Sequence, residues 1–183
     1  LTVTVKEIEE FISSTLYHHQ LEDLSGRDQL IEDTYGWLKE NEFIIIKESN
    51  IEITKLGEAA VGAGMPPITA LSVFDDLSSA ARSLNLTTDL HLVYLCTPIQ
   101  ETNLNFSTVA NMFDVLEPSA LDVANKCQVD VRLVKKIARH GMPRKMDKLG
   151  YRKLQIISRF YRALGIFDLI NETPIEIVSS KYQ

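Results

Sequence analysis

The chain has 183 residues, of which 45% are hydrophobic and 24% are charged, and this composition predicts one large globular domain or two small ones. Its formal net charge of −6 excludes a surface that is basic throughout and coated with nucleic acid. No apolar run approaches the roughly 20 residues that cross a bilayer, and the N-terminus lacks the basic and apolar regions of a signal peptide, so we expect no membrane partner.

The cysteines and the first residue give two further expectations. Cys96 and Cys127 are far apart in sequence and form neither a disulfide framework nor a zinc-binding spacing, which indicates a reducing compartment, cytosol or nucleus. The chain begins with Leu1 instead of methionine. We therefore expect it to be a piece of a longer protein.

The first part of the chain predicts helices followed by one β-hairpin. Apolar residues recur at helical spacing in the first two segments, and the period then changes to that of two short strands. Thr54 is placed to cap the helix that follows the hairpin. The predicted elements are helices at 5–21 and 27–41, separated by a break at Ser25 and Gly26, strands at 43–46 and 51–54, and a helix at 56–63.

This order of elements predicts a winged-helix domain over residues 1–64. Winged helices often bind DNA through their second helix, but many serve only as packing modules. The predicted helix at 27–41 carries four acids against two bases, which makes it a poor reader of a DNA groove. We therefore favour a scaffold role for this domain.

The second part, residues 65–183, predicts an irregular helical bundle, so that the fold class is mainly α. Prolines and glycines mark the breaks between its helices, with Thr87 or Thr88 as a cap and a polar loop at 100–105. The predicted helices are 68–84, 89–96, 106–116, 120–128, 131–140, 145–165, 167–170 and a last one from Pro174 onward.

Within this part, residues 120–136 resemble a helix-turn-helix. Ala124, Val129 and Val134 have the spacing of its turn. Two interpretations stay open, because any two tightly joined helices give this pattern: a corner of the bundle, or a surface that contacts phosphates. The basic residues that would make those contacts are Arg132, Lys135, Lys136 and Arg139.

The same region concentrates positive charge. Residues 132–162 hold eleven of the 19 lysines and arginines, and their only acid is Asp147. The asymmetry predicts one basic face on an otherwise acidic body. A solvated helix surface is the alternative, but so many unbalanced charges repel each other unless an anion is nearby.

Catalytic patterns are missing. The sequence has no phosphate-binding G-x-x-x-x-G-K-[ST] loop and no G-x-S-x-G elbow. His18 and His19 are adjacent and point about 100° apart on a helix, which disfavours a metal site. His91 is expected to be a core histidine, Cys96 and Cys127 are expected to be buried thiols, and Asp75 and Asp76 are expected to form a helix-surface pair for which the sequence identifies no partner. We expect no catalytic residue, cofactor or metal in this chain.

Three segments carry a resemblance to a known family. These are Leu-Gly-Glu-Ala-Ala at 56–60, Phe-Asp-Asp-Leu at 74–77, and Asp-Leu-His-Leu-Val-Tyr-Leu-Cys-Thr-Pro at 89–98. They are similar to the T-x-L-G-x-A step and the D-L-H-L-x-Y-L-x-T-P helix of the POLQ-like DNA repair helicases, and residues 115–118 and 145–164 follow the same pattern. The family includes the helicase part of DNA polymerase theta and archaeal repair helicases.

The resemblance implies a superfamily 2 motor that moves 3′ to 5′ on single-stranded or forked DNA, in the nucleus, using ATP and Mg²⁺. It implies that two RecA-like motor domains precede the winged helix and carry every ATPase motif, so that this chain alone is expected to be inactive. The helical domain would encircle the strand. Its base-contacting ratchet helix is expected to begin just after residues 179–183.

We choose the candidate DNA-binding residues from the clustering of positive charge, and none of them is transferred from the family. Tyr151 is included because aromatic side chains stack on the bases of single strands. Two other functions fit the sequence: a winged-helix regulator that binds duplex DNA, and a protein-interaction scaffold, both without a helicase parent. The candidates are Arg132, Lys135, Lys136, Arg139, Arg144, Lys145, Lys148, Tyr151, Arg152 and Lys153.

Overall fold

The computed structural model describes residues 2–20, 24–48, 50–83, 88–99 and 103–182. These residues are mainly helical with a small antiparallel sheet, which confirms the predicted mainly-α class. Contacts divide the chain into two compact units, Leu1–Leu71 and Ser72–Gln183. The predicted boundary after residue 64 lies a few residues earlier.

The first unit contains short helices and a sheet whose described strands have the order β1-β3-β2. The predicted hairpin is present, with Ile46 opposite Ile51. The strand β1, which pairs Val3 with Ile51, was not predicted because three residues are too few to show a period of two. The elements are β1 Thr2–Thr4, α1 Val5–Ser13, α2 Leu16–Gln20, α3 Leu24–Glu40, β2 Ile44–Lys47, β3 Asn50–Ile53 and α4 Lys55–Gly62.

Two predicted boundaries in this unit are wrong. The predicted helix 5–21 is interrupted after α1, because Ser14 and Thr15 donate their hydroxyls to the carbonyl oxygens of Phe11 and Ile12 at 2.7 and 2.6 Å. Such bonds compete with continuation of the helix. The predicted break at Ser25 and Gly26 lies inside α3, where the first turn tolerates these residues. Leu21 lies outside the described residues.

Thr54 joins the hairpin to α4, as its predicted capping role requires. Its Oγ1 accepts a hydrogen bond from the backbone N–H of Gly57 at 3.1 Å and donates to the carbonyl of Glu42 at 2.5 Å. Gly57 is buried, and the core beside it contains Phe43, stacked on Trp37 with ring centroids 5.8 Å apart. The cap therefore fixes the start of α4 against the entrance to β2.

The second unit is the helical bundle. The hydroxyl oxygen of Thr88 accepts a hydrogen bond from the backbone N–H of His91 and caps α6. Thr88 is one of the two residues predicted as this cap. Residues 84–87 and 100–102, where a break and part of a loop were predicted, lie outside the described residues. The elements are α5 Pro67–Arg82, within which the two units divide, α6 Asp89–Cys96, α7 Phe106–Val115, α8 Pro118–Lys126, α9 Val131–His140, α10 Lys148–Ile170 and α11 Ile175–Lys181.

One continuous helix, α10, replaces the two helices predicted at 145–165 and 167–170. Gly165 lies in its interior and not at its end. The ring of Tyr182 packs over this glycine, at 3.6 Å from where a Cβ would lie. Packing against the chain beyond the helix thus outweighs the weak helix propensity of glycine, which costs about 1 kcal/mol relative to alanine.

The core of the bundle joins α7, α8, α9 and α10. Val109, Val134 and Phe160 are fully buried, and the ring of Phe160 stacks on Phe113 with centroids 5.9 Å apart. His91 is buried as predicted. Cys96 is exposed, so the prediction of a buried thiol is wrong for it, and Cys127 is only partly buried. None of the described helices is long and apolar enough to cross a membrane.

Candidate nucleic-acid interface

The turn between α8 and α9 is tight, as the predicted spacing requires. Ala124, Val129 and Val134 are all buried, with exposures of 1, 7 and 0%. The N–H of Val129 bonds the carbonyl of Ala124 at 2.9 Å, and Gln128 takes a left-handed conformation with φ of 59°. Both predicted interpretations, a bundle corner and a phosphate-binding surface, require this packing, so the exposed side of α9 distinguishes them.

Helix α9 divides into a buried side and a basic outer side. Val134 and Ile137 enter the core. Arg132, Lys136 and Arg139 are exposed at positions i, i+4 and i+7, which lie on one face of a helix, and none forms an ion pair with a described residue.

Lys135 differs from these three. Its Nζ lies 2.6 Å from Oδ1 of Asp114 on α7, and its side chain is 41% exposed. The charge is already balanced by an acid of the same unit. Among the predicted candidates on α9, Lys135 is therefore the least available to an external anion.

Asp130 links α9 to α10. One carboxylate oxygen accepts from the N–H of Leu133 at 2.9 Å and caps α9, and the other lies 2.8 Å from Nζ of Lys153. The hydrogen bond from Lys153 and then the one from the Leu133 backbone lower the pKa of Asp130 below its ordinary value. Lys153, another predicted candidate, is thus also neutralised within the fold.

Replacing Asp130 with alanine should lower the free energy of unfolding by about 1–2 kcal/mol at neutral pH, the usual cost of losing a cap. Because the folded pKa lies below the unfolded one, this stabilisation is complete above the unfolded pKa and disappears as pH falls through the folded pKa. Urea titrations from pH 7 to pH 3 should show the two proteins converging. An exposed acid, Asp122→Ala, is the control, and a difference from wild type that is constant with pH would contradict the prediction.

The cations that follow α9 are mostly unpaired. Arg144 and Lys145 are exposed in the segment 141–147, and Lys148 and Arg152 are exposed at the start of α10. None of these four forms an ion pair with a described residue. Tyr151 lies beside them with 58% of its surface exposed, as its candidate role requires. All five predicted residues are therefore exposed, within nine consecutive positions of the chain.

Arg159 has a different role from its basic neighbours in sequence. It is 5% exposed, and its guanidinium donates to the carbonyls of Tyr94, Leu95 and Thr97 at 2.7–2.9 Å. Its Nη1 lies 2.6 Å from Oδ2 of Asp76, a partner that the sequence did not identify. Arg159 therefore holds α5, α6 and α10 together.

A groove of about 560 Å³ opens above Arg159, between α6, the α8–α9 turn and α10. The α10 residues lie at helical spacing along one side. The residues that the turn contributes were not predicted from the sequence, because Lys126 precedes the basic segment and Gln128 has no charge. The polar and aromatic side chains at its walls include Lys126, Gln128, Lys148, Tyr151, Arg152 and Gln155.

Comparison with known proteins identifies the bundle. A family model described as the helical domain of the DNA_pol_Q helicase-like region matches residues 67–183. DNA polymerase theta of Caenorhabditis elegans is 34% identical over 185 residues, covering 100% of this chain and 11% of that protein. DNA polymerase theta of Drosophila melanogaster is 31% identical over 199 residues, covering 98% and 9%.

A helicase POLQ-like protein of Homo sapiens is also similar, at 28% identity over 137 residues, covering 73% of this chain and 12% of that protein. The chain therefore spans about a tenth of the length of these relatives. The family model covers well over half of the chain, beginning with α5. This chain accordingly belongs to the family of helical domains found in the helicase-like region of DNA polymerase theta.

Proposed function

We propose that this chain is a non-motor part of an ATP-dependent 3′–5′ DNA repair helicase and that it holds single-stranded DNA along the basic surface of α9 and α10. One observation supports the proposal: seven cations between residues 132 and 152 are exposed and form no ion pair with a described residue. We call them the free basic set, and they are Arg132, Lys136, Arg139, Arg144, Lys145, Lys148 and Arg152.

The physical case rests on where the charges are neutralised. Lys135, Lys153 and Arg159 have carboxylate partners in the fold, whereas the free basic set has none among the described residues. Such a surface suits the phosphate backbone, which supplies affinity without sequence preference. A motor that moves along DNA requires this kind of grip, because it must hold every sequence equally.

The rest of the proposal comes from the family. RecA-like domains of the same protein would bind ATP and Mg²⁺ and supply the movement, and a nuclear location would suit a repair enzyme. The first unit, proposed as a winged helix, would act as a scaffold between motor and bundle. The acidic character of α3 supports this role, since Glu32, Asp33 and Glu40 are exposed on it.

Binding of a labelled 20-nucleotide single strand and of its duplex, followed by fluorescence anisotropy at about 50 mM salt, tests the proposal. The variant Arg132→Gln/Lys136→Gln/Arg139→Gln should bind the single strand at least tenfold more weakly, because three phosphate contacts are lost. A control with the same change of net charge, Lys39→Gln/Lys55→Gln/Arg82→Gln, removes exposed cations elsewhere and should bind like wild type.

The two alternative functions predict other results. A regulator that reads duplex DNA would prefer the duplex and would depend on its first unit, so that the control variant would weaken binding. A protein-interaction scaffold would bind neither DNA at low salt. Either result would contradict the proposed grip on single strands.

A further inference from the structure

We propose that the groove above Arg159 is a nucleotide subsite, in which one unstacked base of a single strand lies against Tyr151 while its phosphate contacts the cations of the groove wall. The inference rests on the proposed function, since the strand must already lie along the basic surface. It adds a defined place for a base to a surface that otherwise contacts only phosphates.

The charge of the groove favours an anion. Lys126, Lys148 and Arg152 line it and form no ion pair with described residues. Asp76 is the acid among the described residues at its wall, and it is bound to Arg159 at 2.6 Å. The three lysine and arginine side chains at the opening are therefore not neutralised from within the groove.

The floor of the groove is rigid. Arg159 is fixed by bonds to three carbonyl oxygens and one carboxylate, and its guanidinium carbon lies 4.6 Å from the centre of the Tyr94 ring. Burial raises the pKa of Tyr94 to about 12, so its ring stays neutral at physiological pH. A volume of about 560 Å³ lies within the range of about 300–1,000 Å³ typical of small-ligand sites.

The choice of a base over an acidic peptide rests on Tyr151. This ring is 58% exposed although it lies beside a groove, and it is one helical turn from Lys148 and adjacent to Arg152. Stacking of a base on an aromatic ring is tolerant of sequence, and neighbouring cations hold the phosphate. The side-chain amides of Gln128 and Gln155 line the same groove and offer both donors and acceptors to a base edge.

The test uses this chain with an oligothymidine strand that carries one central 2-aminopurine. Anisotropy reports binding of the strand, and quenching of 2-aminopurine reports stacking of its base on a protein aromatic ring. Wild type should quench on binding. Tyr151→Ala should lose the quenching and bind about 5- to 100-fold more weakly. Tyr151→Phe should restore both, because phenylalanine keeps the stacking ring.

Two further experiments distinguish binding in this subsite from binding along the rest of the basic surface. Lys126→Gln should weaken binding of the strand more than Lys55→Gln, an exposed lysine of the first unit. The fluorescence of duplex DNA carrying the same probe should not fall further when the protein is added, since its bases remain stacked on one another. The salt dependence of Tyr151→Ala should match that of wild type, because tyrosine carries no charge.

Unchanged quenching and affinity in Tyr151→Ala, with salt-sensitive binding intact, would overturn the subsite and leave the proposed function standing. Absence of any binding by wild type would overturn both. Competition by an acidic peptide, without quenching of 2-aminopurine by the wild-type chain, would assign the groove to a protein partner and overturn the inference.

Discussion

Replacing Arg159 with methionine should lower the free energy of unfolding by about 2–5 kcal/mol, because buried carbonyl oxygens lose the side chain that donates to them. Methionine fills much of the same space but donates no hydrogen bond. The carbonyl oxygens of Tyr94, Leu95 and Thr97 would lose their bond from Arg159 in the interior, and Asp76 would lose its cation. The Tyr94 oxygen keeps a bond from the N–H of Thr97 at 3.1 Å, so the loss falls mainly on Leu95 and Thr97, at about 1–3 kcal/mol for each unsatisfied buried acceptor.

Urea unfolding followed by circular dichroism measures this loss. Asp76→Asn is the matched variant, since it removes the charge of the partner and keeps an oxygen that accepts from Nη1. Its loss should be distinctly smaller, because Asp76 is 38% exposed and water can reach it. Equal stability of Arg159→Met and wild type would show that Arg159 does not hold the bundle together.

The second large effect concerns the first unit, where Gly57→Ala should lower the free energy of unfolding by about 3 kcal/mol. Alanine favours helices over glycine by about 1 kcal/mol, so helix propensity alone predicts the opposite sign. A Cβ at residue 57 would overlap the carbonyl oxygen of Phe43 and lie 2.6 Å from Cγ1 of Ile53. Both neighbours belong to the sheet entrance that the Thr54 cap fixes in place.

Thermal and urea unfolding of Gly57→Ala should be compared with Gly36→Ala. Gly36 lies in α3, and among the described residues no atom outside its own helix lies within 4 Å of where its Cβ would be. That substitution should be neutral or stabilise the protein by up to about 1 kcal/mol. If both variants were stabilised, the close approach of α4 to the hairpin would be wrong.

Local features of this fold could be predicted from sequence because they depend on neighbouring residues. Thr54 and Thr88 cap helices through the N–H groups of residues three positions later. The hairpin of β2 and β3 follows from the change from helical to alternating spacing. The clustering of positive charge near α9 and α10 was likewise visible in a single stretch of the chain.

Ion pairs between residues that are far apart in the sequence could not be predicted. Lys135 and Asp114, Lys153 and Asp130, and Arg159 and Asp76 are 21, 23 and 83 residues apart. Each pair depends on which helices pack together, and that packing sets which cations stay available. The basic region is therefore visible in the sequence as a composition, whereas the division into neutralised and free cations required the structure.

Helix ends show the same distinction. The break between α1 and α2 comes from hydroxyl groups of Ser14 and Thr15, residues that helices can also accommodate. The continuity of α10 through Gly165 comes from Tyr182, which packs on it from another part of the chain. Neither outcome follows from helical periodicity, because both depend on competition between local bonds and tertiary contacts.

The most direct measurement of the proposed grip is the salt dependence of single-strand binding by the wild-type chain. Each phosphate contact contributes about −0.7 to the slope of log K against log salt concentration on a single strand. If most of the free basic set contacts phosphates, the slope between 50 and 200 mM salt should be about −4 to −5. A slope near zero, or no binding at 50 mM salt, would contradict the assignment of this surface to DNA.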